Sequence, residues 1–337
     1  MTGPSSSATD APPLLARLAV AFLGLGSVLS LLAWVYEIAP FREFFLAVSM
    51  PLTLAMIAVG VLAARRRWTW WREAMVAGAL GGFLGTFGYD IFRIPFYVAG
   101  FQVLAPIDSY GLLLLDAQSS SAWTGLTGWS YHFLNGVGFG VTYGVMAKGR
   151  HWGWGIAWAL VLETATILTP FADSYALRGQ WVPIAIAYGA HIPYGFAIGK
   201  VVQRAEVVTR EAVELLRFPL VVVSGVLIAA LAIWLRPWST DPAVAAGRDA
   251  APGPSAIVVG DRFVPLWMRA PVEDGCVTVR NDSDTTYGFA SGSDREIGPG
   301  DSADVCFDDG GVHRVRLTVD GRERAHTGGF VLIDPEG

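Results

Sequence analysis

Long apolar stretches recur along most of the chain, and they constrain its fold more than any other feature. A transmembrane helix needs about 20 predominantly apolar residues to cross the hydrocarbon core of a bilayer. Seven stretches qualify, at about residues 13–38, 44–63, 72–98, 122–147, 152–171, 181–202 and 215–236. The sequence therefore predicts an α-helical polytopic membrane bundle of about seven spans over residues 1–236.

The distribution of charge divides the chain into two parts. Charged residues make up only 16% of the sequence, whereas soluble domains have about 25%. Residues 256–337 contain fifteen acidic and eight basic residues, a net charge of −7. The whole chain carries −5, so the remainder carries +2. This segregation indicates a membrane domain with a solvated acidic appendage.

Basic residues set the predicted orientation, because loops rich in Lys and Arg stay in the cytoplasm. Every connection from an even to an odd span is basic, through Arg65, Arg66, Arg67, Arg72, Lys148, Arg150, Lys200, Arg204, Arg210 and Arg217. The first apolar stretch lacks the basic lead and cleavage pattern of a signal peptide. We therefore predict a multi-pass cell-membrane protein with a cytoplasmic N-terminus and a periplasmic or extracellular C-terminal domain.

Two predicted spans share the pattern H-x3-G-x3-G, beginning at His132 and at His191. The preceding spans each contain an acid and then a Pro-Phe pair, with Asp90 in one and Glu163 in the other. The spacing from acid to proline differs by two residues. The pattern indicates a duplicated two-helix unit, spans 3–4 and 5–6, related by an axis along the membrane normal.

Ionisable side chains inside a bilayer are costly, and they usually face the bundle interior or a wet cavity. The predicted spans contain a set of ionisable and amide side chains: Asp90, Arg93, His132, Asn135, Glu163 and His191. At 1.5 Å per residue, both histidines lie about 15 Å from the outer ends of their spans. Glu163 comes to a similar height, whereas Asp90 and Arg93 are predicted nearer the outer surface.

Three interpretations of this cluster are open. His132 and His191 could be axial ligands of haem b, or the two histidines could join Asp90 and Glu163 around a metal ion. Alternatively, Asp90, Arg93 and Asn135 could belong to a polar pathway, in which Arg93 attracts an anion and the acids relay protons. In the third, the cluster is structural: Asp90 neutralises Arg93, and the histidines bond across helices to Asn135 or to tyrosines.

Motifs that would assign a particular chemistry are missing from the sequence. It contains no H-x-x-x-H, C-x-x-C-H or H-E-x-x-H motif that would sharpen a metal or haem site. It also contains no G-x-S-x-G motif, Walker A loop or dinucleotide-binding fingerprint. Whether the protein is an enzyme is therefore left open by its sequence.

The C-terminal quarter has the pattern of a small β-domain. Residues 237–255 are rich in Pro, Ala and Gly, which indicates a linker. Short alternating runs separated by turn residues then predict an all-β sandwich over residues 256–337. Cys276 and Cys306, the only cysteines, favour one disulfide and an oxidising compartment, with two free thiols as the alternative.

The order of these runs is FVPLWMRAP, EDGCVTVRNDS, IGPGDSADVCF, GGVHRV and GGFVLI. With its N-D turn, P-G-D-S turn and closing strand, this order resembles a cupredoxin domain. The family binds one copper ion through two His, a Cys and often a Met. Thr286 and Tyr287 stand where the first histidine is expected, and no Met follows Cys306, so we expect no type 1 copper.

An immunoglobulin-like sandwich is the alternative to the cupredoxin fold for this domain. His313 and His326 could still hold a metal at the surface, although solvated polar residues are the simpler interpretation.

The sequence thus predicts a membrane subunit with an intramembrane polar site for haem b or a metal ion. Its external domain would dock a partner or cover the outer mouth of the bundle. The alternatives are an accessory or scaffolding subunit without its own cofactor, and a proton- or anion-coupled transporter. The expected partners are the lipid bilayer and a protein of a membrane complex, with no nucleic acid.

Overall fold

Within the described residues, the apolar stretches form helices, as their length predicts. The computed structural model describes residues 11–99, 103–117, 122–174, 177, 181–215, 256–259, 263–264, 267–271, 276–281, 284–289, 296–308, 311–319 and 322–334. The helices are α1 (Leu14–Gly24), α2 (Val28–Val35), α3 (Phe41–Phe44), α4 (Met50–Arg65), α5 (Thr69–Val98), α6 (Ala105–Leu115), α7 (Ala122–Ala147), α8 (Gly153–Leu168), α9 (Phe171–Ser174), α10 (Trp181–Gln203) and α11 (Ala205–Leu215). A π-helical turn, Phe45–Ser49, joins α3 to α4.

Three of the described helical stretches are long and apolar enough to cross a membrane: Phe41–Arg65, Thr69–Val98 and Trp181–Gln203. Helices α1 and α2 meet at a bend of 66° and would form a fourth if they act as one broken span. Helix α8 is apolar but has only 16 residues. The seventh predicted stretch, 215–236, lies outside the described residues but for its first position. The structure therefore shows a mostly helical chain with three or four candidate spans.

Helix α5 is the centre of the bundle, since it packs along both α7 and α10, and α10 packs in turn along α8. Glycines make these close crossings possible. A Cβ atom on Gly82 of α5 would clash with the carbonyl oxygen of Gly136 in α7. A Cβ atom on Gly155 of α8 would clash in the same way with the carbonyl oxygen of Gly195 in α10. Small residues allow such close backbone approach between membrane helices.

Two sheets follow in the C-terminal quarter. Their strands are β1 (Ala256–Val259), β2 (Phe263–Val264), β3 (Trp267–Pro271), β4 (Cys276–Asn281), β5 (Tyr287–Phe289), β6 (Glu296–Ile297), β7 (Ser302–Cys306), β8 (Gly311–Val319) and β9 (Arg322–Asp334). The four-stranded sheet has the order β2-β1-β4-β7, and the five-stranded sheet has the order β3-β9-β8-β5-β6. The predicted linker, 237–255, lies outside the described residues.

The predicted disulfide is confirmed. Strands β4 and β7 are antiparallel, and their register places Cys276 directly opposite Cys306. The two sulfur atoms are bonded. On β4, buried residues alternate with half-buried ones, which is the period-two pattern that predicted these strands. His313 stacks on Phe307 with ring centroids 4.4 Å apart, and the side chain of His326 lies outside the described residues.

Candidate functional site

The first half of the site is a hydrogen-bonded triad of Arg93, Asp90 and His132 between α5 and α7. The Nη2 atom of Arg93 donates to Oδ1 of Asp90 at 2.5 Å, within one turn of the same helix. From α7, Nε2 of His132 lies 3.1 Å from Oδ1 and 3.2 Å from Oδ2 of the same carboxylate. Asp90 therefore has a guanidinium and an imidazole as partners, and it neutralises Arg93 as the structural interpretation predicted.

Two further contacts fix Arg93. Its Nη1 atom donates to the carbonyl oxygen of Val103 at 2.5 Å, which ties α5 to the segment leading into α6. Its guanidinium carbon lies 4.2 Å from the ring centroid of Tyr89, within the range of a cation–π contact. Arg93 is only 5% exposed, so its charge is held in place by fixed protein groups.

The second half of the site lies between α8 and α10. Nδ1 of His191 is 3.4 Å from Oε2 of Glu163. The same nitrogen is only 2.8 Å from the carbonyl oxygen of Ala187, one turn earlier in α10. A carbonyl accepts hydrogen bonds and cannot donate them, so Nδ1 carries a proton and donates it mainly to Ala187. Glu163 is buried, with only 4% of its surface exposed.

Tyr89 connects the two halves. Its ring centroid lies 4.9 Å from that of His191 and 6.0 Å from that of His132. Because Tyr89 also contacts Arg93, side chains of α7, α5, α10 and α8 form one continuous polar and aromatic line. Sequence reasoning missed Tyr89. Its position beside Asp90 in the chain gave no sign that it would touch both histidines, because that depends on how α5 is rotated between α7 and α10.

Asp90 lies at the level of His132, not nearer the outer surface as its position in the sequence suggested. Helix α5 has 30 residues, about 45 Å, and is longer than the hydrocarbon core. Asp90 stands eight residues before its end and His132 ten residues after the start of α7, about 12 and 15 Å respectively. These positions differ by only about 3 Å along the helices, and the two side chains span that difference when they make their contact.

The tyrosines and Asn135 have other contacts than the structural interpretation predicted. Tyr131 donates to the carbonyl oxygen of Ser27 at the break between α1 and α2 (2.9 Å). Tyr194 donates to the carbonyl oxygen of Gly136 (2.9 Å). The buried Oδ1 atom of Asn135 has no hydrogen-bond partner within the described part of the chain. The histidines bond instead to the acids and to a backbone carbonyl.

The arrangement does not favour a cofactor between the histidines. Haem ligation by both would require two imidazoles facing a common space, whereas here the Tyr89 ring contacts both of them. The four proposed metal ligands divide into two pairs, Asp90 with His132 and Glu163 with His191. Over the described ranges, no three His, Cys, Asp or Glu side chains are grouped so that they could hold a metal ion. Haem and metal binding stay predictions.

The chemistry that these groups share is exchange of protons. Imidazole gains and loses a proton near neutral pH, and chains of Asp, Glu and His form proton relays in membrane proteins. No protein-family model, curated protein or solved structure matches this chain.

Proposed function

We propose that this protein is a proton-conducting membrane transporter, whose proton pathway passes through the site formed by the line from Asp90 to Glu163. The observation that carries the proposal is the continuity of that line. Asp90 contacts His132, whose ring contacts Tyr89, and the line continues from Tyr89 to His191 and then to Glu163 across four helices. Burying ionisable groups in apolar helices is costly, and such groups usually mark proton or ion pathways.

A purely structural role explains only part of this arrangement. Helices in a membrane can be joined by polar side chains that form hydrogen bonds between them. This bundle has such bonds from Tyr131 to the carbonyl oxygen of Ser27 and from Tyr194 to that of Gly136. Two acids and two histidines at one depth exceed what helix association needs. Their presence supports a pathway for protons.

We also propose seven spans, with the N-terminus in the cytoplasm and the β-domain outside. The basic residues between the predicted spans support this orientation, and the Cys276–Cys306 disulfide fits an oxidising compartment. The external domain is proposed to be a cupredoxin-like β-sandwich that binds no type 1 copper and docks a protein partner. Its two sheets, of four and five strands, are compatible with that class.

Proton flux tests the proposed pathway. In liposomes containing the whole protein, an inside-negative potassium diffusion potential should drive proton entry, measured with an entrapped pH-sensitive dye. Glu163→Gln should reduce the flux to that of protein-free liposomes, because an amide side chain cannot take up and release a proton near neutral pH. Glu206→Gln is the matched control, since Glu206 is an exposed acid on α11, and it should leave the flux unchanged. Wild-type flux no greater than that of empty liposomes would refute the proposal.

Labelling of single cysteines tests the orientation. The native cysteines form a disulfide and do not react with maleimides, so the background is low. Arg150 is an exposed residue between α7 and α8. The cysteine of an Arg150→Cys variant should react with an impermeant maleimide only after cells are permeabilised. The Arg42 side chain is 47% exposed, and the cysteine of an Arg42→Cys variant should react in intact cells. The reverse pattern would invert the proposed topology.

A further inference from the structure

The two helix pairs that form the site repeat each other in detail. In α5, Gly82 stands eight residues before Asp90, and in α8, Gly155 stands eight residues before Glu163. Both glycines meet the first glycine of the H-x3-G-x3-G motif in the following long helix, where an added Cβ would clash with its carbonyl oxygen. Equivalent positions in the two units can therefore be assigned from backbone contacts as well as from sequence.

The positions four residues before each acid also correspond. A Cβ on Gly136 would lie 3.2 Å from Cβ of Thr86, and a Cβ on Gly195 would lie 2.9 Å from Cβ of Ala159. Each unit thus has the same series in its first helix: a glycine, a small residue and an acid at intervals of four. The acid of each unit then contacts the histidine of the second helix.

The units differ three residues after the acid. Asp90 is followed at that distance by Arg93, which bonds to it. Glu163 is followed by Thr166, whose hydroxyl donates to the carbonyl oxygen of Leu162 at 3.0 Å. One acid therefore has a permanent cation within its own helix, and the acid at the equivalent position has an uncharged residue.

The surroundings of Glu163 do not replace this missing cation. From α10, Nδ1 of His191 donates mainly to Ala187 and lies 3.4 Å from the carboxylate. From α5, Tyr89 and Arg93 face it, but Arg93 is hydrogen-bonded to Asp90 and Val103 and acts on Glu163 only through space. From α7, His132 is bonded to Asp90. Within the described residues, no Lys or Arg forms an ion pair with Glu163.

A carboxylate inside a membrane without a permanent cation beside it is unfavourable by several kcal/mol, and a proton is the smallest ligand that removes its charge. We infer that Glu163 is the site that binds and releases the transported proton, whereas Asp90, locked by Arg93, keeps its negative charge and positions His132. This assignment rests on the proposed transport function. The proton that Glu163 takes up from one side leaves to the other, and no other bond is made or broken.

Dicyclohexylcarbodiimide tests the assignment, because this apolar reagent forms stable adducts with protonated carboxyl groups inside membranes. The whole protein is treated in liposomes, digested and mapped by mass spectrometry. We expect the adduct on Glu163 and none on Asp90. Glu163→Gln should lose it, and Glu206→Gln should keep it. An adduct on Asp90, or on neither acid, would overturn the assignment.

Exchanging the residues that distinguish the two units sharpens the test. Thr166→Arg supplies Glu163 with the cation that Asp90 has, and it should abolish the adduct on Glu163. Arg93→Thr removes the cation from Asp90, and an adduct should appear there. If either variant is not monodisperse, the mass-spectrometric map of adducts on the wild-type protein still tests the assignment of Glu163. If Glu163 is labelled but the liposomes show no proton flux, the transport function is refuted and the protonated state of Glu163 is supported. If there is flux but no label on Glu163, transport is supported and the assignment of Glu163 is refuted.

Discussion

Arg93→Met is expected to lower the free energy of unfolding by about 3–5 kcal/mol, as removal of one partner of a buried ion pair generally does. Asp90 would then lose its permanent cation, and it would have to hold a buried charge beside His132 alone or take up a proton. The carbonyl of Val103 would also lose its donor, and α5 its tie to the segment before α6. Methionine is chosen because it fills much of the volume of the arginine stem.

The effect is measured by unfolding the protein in mixed micelles with a denaturing detergent and following tryptophan fluorescence. Arg66→Met is the control, since Arg66 is exposed, and it should change stability by less than about 0.5 kcal/mol. The double variant Asp90→Asn with Arg93→Met should be less destabilised than the sum of the single variants, because the unpaired charge is gone. Additive losses would show that the two side chains do not stabilise each other.

The helices and five of the ionisable site residues could be predicted from the sequence, because apolar length and buried charge are local properties. The Asp90–Arg93 pair was predictable for the same reason, since residues three apart share a helix face. The pairing of Glu163 with His191, and the contact of Tyr89 with both histidines, depend on how four helices are rotated about their axes. The glycine contacts that fix those rotations join residues far apart in the chain.

Two backbone features were also beyond the sequence pattern. The first apolar stretch was predicted as one helix, but it bends by 66° between Gly24 and Val28. Hydropathy counts apolar residues and does not register a break in the hydrogen-bond ladder, although the nearby Gly24, Gly26 and Ser27 are poor helix formers. In the β-domain, alternation predicted strands but not the parallel pairs β1–β4 and β3–β9, because it fixes which face is buried and not which strand is the neighbour.

Gly155→Ala should destabilise the protein, whereas the same substitution at Gly60 should stabilise it. In a helix interior, alanine is favoured over glycine by about 1 kcal/mol. At Gly60 in α4 nothing opposes this gain, because the added Cβ would lie an ordinary 3.5 Å from Cε of Met75. At Gly155 the added Cβ would clash with the carbonyl oxygen of Gly195, which belongs to a helix backbone and cannot move alone.

Helices α8 and α10 would have to separate, and overpacking of this kind costs about 1–3 kcal/mol. The two variants should therefore shift the midpoint of unfolding in opposite directions in the same detergent titration. Gly82→Ala should behave like Gly155→Ala, since it meets Gly136 in the same way. Separation of α8 from α10 would also widen the 3.4 Å contact between Glu163 and His191. Stabilisation by Gly155→Ala would mean that these helices do not cross at their glycines, and the equivalence of the two units would lose its structural basis.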